Sequence, residues 1–239
     1  MTGDPDAAGE VTNLVIALRE AIRDNTLTSR TVKSAKQTLK RIGYVYDSYT
    51  YPPLRKSYRS VKLHGRSPTH LAEALLWKLG MWPAYENFVR HHSKAESKPG
   101  KTGIVFFAFA KHLRNRDIPI YDQHVLRSLW AIGNLQEEDR ALCGRVLIDR
   151  SGEWKESGSG ADAEAAYRLF VSHMAALEML GISNAQLDKL LMPLGQALKK
   201  YSANYPQFIE LCGFSRDSTV HSSIPPDGSA TPEAVTNAI

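Results

Sequence analysis

The sequence lacks most of the features that would assign it to a simple class. Its 239 residues include two cysteines, Cys143 and Cys212, which are far apart and have no metal-ligand spacing. No apolar run reaches the roughly 18 residues that a membrane span needs. The polar, acidic start of the chain lacks the order of a secretory signal. We therefore expect a cytoplasmic protein with reduced thiols, no cofactor and no membrane partner.

Familiar catalytic patterns are missing as well. The sequence has no Gly-x-Ser-x-Gly elbow, and Pro99-Gly100-Lys101-Thr102 lacks the glycine and the spacing of a nucleotide-binding loop. His91 and His92, together with His124, suggest a metal only weakly. Adjacent histidines on a helix point about 100° apart and no cysteine supports them, so we predict no metal site.

Acidic residues are scarce between positions 30 and 66, where ten lysines and arginines stand against one acid, Asp47. The net charge of the whole chain is only +5, so the basic charge is concentrated in this part. One-sided basic charge favours a polyanion through counterion release. The alternative is a solvated basic face without a partner.

The apolar residues recur mostly at helical spacing, which predicts an all-α fold in which strands are absent or very short. We expect a flexible terminus over residues 1–9, one domain over residues 10–214, and a disordered tail rich in Ser, Thr, Pro and Gly over residues 215–239. Within the domain, residues 44–66 have no clean period and carry several tyrosines, which predicts an ordered loop.

The most informative stretch is Ile118-Pro119-Ile120-Tyr121-Asp122-Gln123-His124-Val125-Leu126-Arg127. Here an acidic residue follows an apolar run and precedes a helical pattern. Upstream, Pro99-Gly100-Lys101-Thr102-Gly103 leads into the apolar run 104–110. Together the two pieces resemble the core of the helix-hairpin-helix DNA glycosylases, in which a hairpin, a helix and then a catalytic Asp follow in this order.

The resemblance implies a two-lobed helical protein that flips a modified or damaged base out of double-stranded DNA and cuts its glycosidic bond. In that case Asp122 is the catalytic carboxylate. A carboxylate beside C1′ stabilises the oxocarbenium-like sugar, and the N-terminus of a helix favours its negative charge. The structural alternative is that Asp122 only caps its helix, a common role for Asp.

Lys101 is the second catalytic candidate, because Lys101-Thr102-Gly103 is similar to the Lys-Thr-Ala step of the family. In bifunctional members a lysine near this point forms a Schiff base with C1′. The alternative is a phosphate contact at the N-terminus of the following helix. We favour the phosphate contact, and hence a monofunctional enzyme that uses water.

Further residues would hold the DNA. The predicted backbone contacts are Arg55, Lys56, Arg59, Lys62, Arg66, Gly100, Thr102, Gly103, His124 and Arg127. A flipped base needs a lined pocket and a side chain that fills the gap it leaves. The aromatic candidates for these two roles are Tyr46, Tyr49, Tyr51, Tyr58, Trp77, Trp82 and Tyr85. For the aromatic residues, packing in the core is the alternative.

A softer similarity to small, divergent bacterial relatives of the superfamily rests on Leu76-Trp77-Lys78-Leu79-Gly80 and Gln186-Leu187-Asp188-Lys189-Leu190. Some of those relatives are associated with defence against phage, which implies a modified phage base as substrate. Two rival functions stay open: a non-catalytic DNA-binding module or defence-complex component that keeps the fold, and a protein-interaction or scaffold component whose basic face meets an acidic partner. We expect the protein to be a monomer.

Overall fold

The computed structural model describes residues 5–45, 71–93, 103–115, 117–155 and 161–214. Within these ranges the chain forms ten α-helices and no sheet, which confirms the predicted all-α class. The only extended pairing in the described part is a pair of isolated bridges, Ile148 with Trp154 and Glu153 with Asn204. The helices are α1 Pro5–Arg23, α2 Ser29–Arg41, α3 Leu71–Lys78, α4 Trp82–Ser93, α5 Ile104–Arg114, α6 Gln123–Ile132, α7 Glu137–Leu147, α8 Ala161–Glu178, α9 Asn184–Tyr201 and α10 Tyr205–Leu211.

Helix α1 begins earlier than its apolar pattern indicated. We expected a flexible terminus up to residue 9, but the helix already runs from Pro5. A proline is well tolerated in the first turn, where its missing N–H has no partner to lose. Asp6 adds an acidic group in that turn, where the helix dipole favours one.

Helix α6 forms the centre of the molecule. All residues from Val125 to Ile132 are buried, and α6 packs against α1, α7, α8 and most extensively α9. Polar groups join these helices in the interior. Ser128 on α6 donates a hydrogen bond to the carbonyl oxygen of Leu191 at 2.5 Å, and Arg19 on α1 donates one to that of Ala131 at 2.9 Å. The position of the start of α6 is therefore fixed by its neighbours.

Helix α9 is stabilised at its start by a capping box, in which Ser183 and Gln186 satisfy each other's backbone N–H groups. The helix continues through Pro193 to Tyr201. Helices α3 and α4 lie on the other side of the molecule, where α4 packs against α5 and α5 contacts α8. None of the helices in the described ranges is both long and apolar enough to cross a membrane.

Candidate active site

A cavity of about 470 Å³ lies at the start of α6. This volume falls within the range of about 300–1,000 Å³ that is typical of ligand pockets. Apolar side chains form much of the wall, and four polar side chains share it with them. The apolar lining is Ile104, Val105, Phe106, Leu126, Val146, Leu147 and Ala163, and the polar side chains are Asp122, Gln123, His124 and Lys155. Gly103 and the aromatic residue Tyr121 complete the lining.

Asp122 caps α6, and the same residue lines the cavity. Its Oδ1 accepts hydrogen bonds from the backbone N–H of His124 at 2.7 Å and of Val125 at 3.0 Å. Its Oδ2 accepts none from the described residues. The side chain is only half-buried and its residue lines the open cavity. The carboxylate is thus held by one oxygen and leaves the other available to a ligand.

Side chains from two helices hold the loop that leads to Asp122. His112 on α5 donates through Nδ1 to the carbonyl oxygen of Ile118 at 2.7 Å. Asn184 on α9 donates to the carbonyl oxygen of Asp117 at 2.8 Å. Asp188, one turn further along α9, accepts a long hydrogen bond of 3.5 Å from the backbone N–H of Ile120. The backbone before Asp122 is therefore fixed from both sides.

Asp188 is a second carboxylate close to Asp122. It is only 7 % exposed, and its Oδ1 has no hydrogen-bond partner. Burial raises the pKa of Asp188 to about 7, and the nearby charge of Asp122 adds to the rise. The pairing of an accessible carboxylate with a buried one was not expected from the sequence.

The raised pKa of Asp188 predicts a pH-dependent cost to stability. The folded state keeps the proton up to about pH 7, whereas the unfolded chain loses it near pH 4. The protein therefore keeps its full stability with respect to Asp188 below pH 4, and it loses part of that stability as the pH rises to 7. We expect Asp188→Asn to match the wild type at pH 4 and to exceed it at pH 8, by an amount on the order of 4 kcal/mol from about 1.4 kcal/mol for each pKa unit.

Urea unfolding of both proteins at several pH values measures this difference. Asp162→Asn is a suitable control, because Asp162 is half-exposed and pairs with Arg145 at the surface. Its effect should stay below about 1 kcal/mol. A difference between Asp188→Asn and the wild type that stays constant from pH 4 to pH 8 contradicts the prediction.

Arg127 is an interior residue, so the prediction that it contacts a DNA phosphate is wrong. Its side chain is fully buried, and its guanidinium carbon lies 4.1 Å from the centre of the Trp154 ring. One guanidinium nitrogen, Nη1, donates to the carbonyl oxygen of Gly195 at 3.2 Å. Burial lowers the pKa of Arg127 to about 10, which still leaves it charged at neutral pH. Helix α6 turns position 127 towards the core.

His124 lines the cavity, and its ring also faces Arg127. Nη1 of Arg127 lies 3.2 Å from Nδ1 of His124, and a guanidinium can only donate in this contact. Burial holds the pKa of His124 below its ordinary value despite the nearby charge of Asp122. The lowered pKa of His124 favours the neutral ring at pH 7. The predicted contact of His124 with the DNA backbone stays a prediction.

Lys155 reaches the cavity from the loop between α7 and α8. Its ammonium group donates to the carbonyl oxygen of Arg145, near the end of α7. The neighbouring Trp154 stacks on Arg127 and donates through its indole N–H to the carbonyl oxygen of Ser202 at 2.6 Å. Arg127 therefore contributes to the site indirectly, by holding the loop that carries Lys155.

The aromatic residues predicted for the base pocket on α3 and α4 do not line this cavity. Trp82 is buried, and its ring lies 5.5 Å from that of Tyr85. The Tyr85 hydroxyl donates to Glu73 at 2.9 Å, whereas Trp77 is 57 % exposed. Trp82 is thus a packing residue, as the alternative held, and a wedge role for Trp77 stays a prediction.

Many predicted site residues lie outside the described part of the chain. They are Lys101, Gly100 and Thr102 of the predicted hairpin, Arg55, Lys56, Arg59, Lys62 and Arg66 of the basic segment, and Tyr46, Tyr49, Tyr51 and Tyr58. Gly103 is described. It lines the cavity and precedes α5 in a left-handed conformation with φ of 79°, which glycine adopts without strain.

The described residues contain no group of three or more His, Cys, Asp and Glu side chains that could hold a metal ion. His91 and His92 are both buried at the end of α4. His91 packs edge-on against Phe107 with ring centres 5.3 Å apart, and burial lowers the pKa of both histidines. These two residues are part of the contact between α4 and α5.

The chain matches no family model, no curated protein and no solved structure in the comparisons with known proteins.

Proposed function

We propose that the chain is a DNA glycosylase of the helix-hairpin-helix type, which hydrolyses the N-glycosidic bond of a modified or damaged base. The observation that carries the proposal is the placement of Asp122. Its carboxylate is anchored at the start of a buried helix through Oδ1, and it lines a cavity of about 470 Å³. A residue that only capped the helix would need no cavity beside it.

The lining of the cavity suits an extruded nucleotide. Leu126, Val146 and Phe106 offer apolar surface to the faces of a base. The free Oδ2 of Asp122 would stabilise positive charge at C1′ and orient a water molecule. The bond between C1′ and the base nitrogen breaks, the water oxygen bonds to C1′, and the base departs with a proton that the water supplies.

The hairpin of the proposed fold would be formed by residues 94–102, which connect α4 to α5 in the sequence. Helices α4 and α5 pack against each other. The proposed order of hairpin, helix and catalytic Asp then corresponds to residues 94–102, α5 and the start of α6. Double-stranded DNA would bind to the hairpin, α5 and the start of α6. A defence role against phage would make the substrate a modified phage base.

Base release from a panel of DNAs tests the proposal. Genomic and phage DNAs that carry different base modifications are incubated with the protein and then heated in alkali, which cleaves abasic sites. At least one DNA should be cleaved, and cleavage should require Asp122. A panel that yields no abasic sites, although the same DNAs bind to the protein, favours the non-catalytic DNA-binding module instead.

Borohydride trapping tests the prediction that water is the nucleophile. Reduction during turnover should give no covalent adduct between protein and DNA, because no Schiff base forms. An adduct that disappears in Lys101→Ala contradicts the prediction and makes Lys101 the nucleophile. An adduct that instead disappears in Lys155→Ala also contradicts the prediction that water is the nucleophile. In that case the nucleophilic amine is that of Lys155 in the cavity wall.

A further inference from the structure

A second cavity of about 220 Å³ lies between α2 and α9, and four lysines line it. Lys33, Lys36 and Lys40 belong to α2, and Lys189 belongs to α9. The rest of its lining is Gln37, Tyr44, Val45 and Pro193. No residue lines both this cavity and the one beside Asp122, so the two are separate sites.

The pattern of α2 explains why its lysines lie together. Val32, Ala35 and Leu39 are buried and hold one face of the helix against the core. Lys33, Lys36 and Lys40 are spaced by three and four residues, so they share another face. Packing of α2 against α9 then brings Lys189 to the same cavity. Nothing in the local sequence around Lys189 indicated this meeting.

The charge of this lysine cavity is not neutralised within the described part of the chain. On α2, Arg41 forms an ion pair with Glu10 at 2.8 Å. The four cavity lysines form no ion pair with a described carboxylate. Four ammonium groups around one concave surface repel one another, and an anion bound between them would relieve that repulsion.

We propose that the lysine cavity binds the phosphodiester backbone of a nucleic acid, as a contact separate from the Asp122 cavity. Lys33 and Lys40 are seven residues apart, which is about 10 Å along a helix at 1.5 Å per residue. One strand of B-DNA carries about three phosphates over that length, at roughly 3.4 Å each. A row of lysines with this span suits a polymer of phosphates better than a single small anion.

A membrane surface fits the same charge less well. Helices that lie on membranes insert a free apolar face between the lipids. The apolar face of α2 is already buried against the core. The inference shares with the proposed function the requirement that the chain binds nucleic acid, but it does not require that the chain cleaves one.

The salt dependence of duplex binding tests the inference. One variant carries four substitutions at once: Lys33→Gln, Lys36→Gln, Lys40→Gln and Lys189→Gln. This variant and the wild type are each titrated with a labelled duplex of about 20 base pairs at several salt concentrations, and fluorescence anisotropy gives the affinity. Each lost phosphate contact removes about 0.9 from the slope of log affinity against log salt. If each of the four lysines contacts one phosphate, we expect the slope of the variant to be shallower by about 3.6.

The matched control removes four exposed cations elsewhere, through Arg23→Gln, Lys78→Gln, Arg90→Gln and Arg150→Gln. Both variants lose four charges, so an effect of net charge alone would change both slopes equally. An equal change in both, or an unchanged slope in the cavity variant, overturns the inference. Thermal unfolding checks that both variants fold. We expect both to fold, because the substituted residues are exposed or half-buried.

Two further measurements separate the alternatives. If vesicles of phosphatidylserine bind the wild type but not the cavity variant, and duplex binding is equal in both, the cavity serves a membrane and the inference fails. If the duplex slope changes as expected but no DNA releases a base, the proposed glycosylase function fails and the lysine cavity stands.

Discussion

Replacing Asp122 with asparagine is expected to abolish base release and to leave the fold intact. Oδ1 of Asp122 accepts two backbone hydrogen bonds at the start of α6, and the amide oxygen of asparagine accepts the same two. Asn and Asp are about equally good at the N-cap position. The negative charge beside the cavity disappears, and with it the proposed stabilisation of positive charge at C1′ and the proposed base that orients water. We expect the rate of base release to fall by about 10²- to 10⁴-fold.

Two measurements on the same variant separate its two roles. Single-turnover release of base from the substrate DNA reports the chemistry, and urea unfolding reports the cap. Asp122→Ala is the comparison: it should lose the same activity and also about 1 kcal/mol of stability, because alanine cannot cap the helix. If Asp122→Asn releases base as fast as the wild type, Asp122 is only a cap, and the catalytic assignment is wrong.

The helices were predictable because their signals are local. Thr28 accepts from the N–H of Thr31 before α2, and Gly133 follows α6; both residue types commonly mark the ends of helices. Pro193 lies within α9 and does not end that helix. Helix α1 was the exception. Its first turn is polar and carries little apolar periodicity, so the pattern alone placed its start too late.

The candidate site was predictable only where it follows from one segment. The residues around Asp122 stand in one short stretch, and that stretch does form the wall of a cavity. Lys155 and Asp188 reach the site from loops and helices 33 and 66 residues further along. Asp188 comes close to Asp122 because α6 packs against α9, and Lys155 reaches the cavity because the neighbouring Trp154 stacks on Arg127. Neither contact produces a pattern in the local sequence.

Arg127 shows how the fold can change the role that a short motif suggests. Position 127 lies one helical turn after the start of α6, and a surface helix would present it to solvent there. Helix α6 instead is buried from Val125 onwards, so the guanidinium is enclosed. Its charge is stabilised by the face of Trp154 and by the carbonyl oxygen of Gly195. An arginine at this place holds elements together and contributes no free charge to a DNA surface.

Gly195 is the point where α9 passes closest to the start of α6, and Gly195→Ala is expected to destabilise the protein strongly. A Cβ atom at position 195 would lie 2.0 Å from the carbonyl oxygen of His124 and 2.5 Å from its carbonyl carbon. Both are backbone atoms, so no side-chain rotation relieves the overlap. The two helices must move apart, and the contacts of Arg127 and Ser128 with α9 lengthen with them. We expect a loss of about 3 kcal/mol or more in the free energy of unfolding.

Gly9→Ala provides the matched control, because Gly9 also lies in a helix but has no atom within 4 Å of an added Cβ. Alanine is the better helix former, so this variant should be more stable than the wild type by up to about 1 kcal/mol. Urea unfolding followed by circular dichroism measures both. The same separation of helices would shift Asp122, which precedes His124 by two residues, so Gly195→Ala should also lose base release if the proposed function holds. A Gly195→Ala protein as stable as the wild type would show that α6 and α9 do not approach this closely.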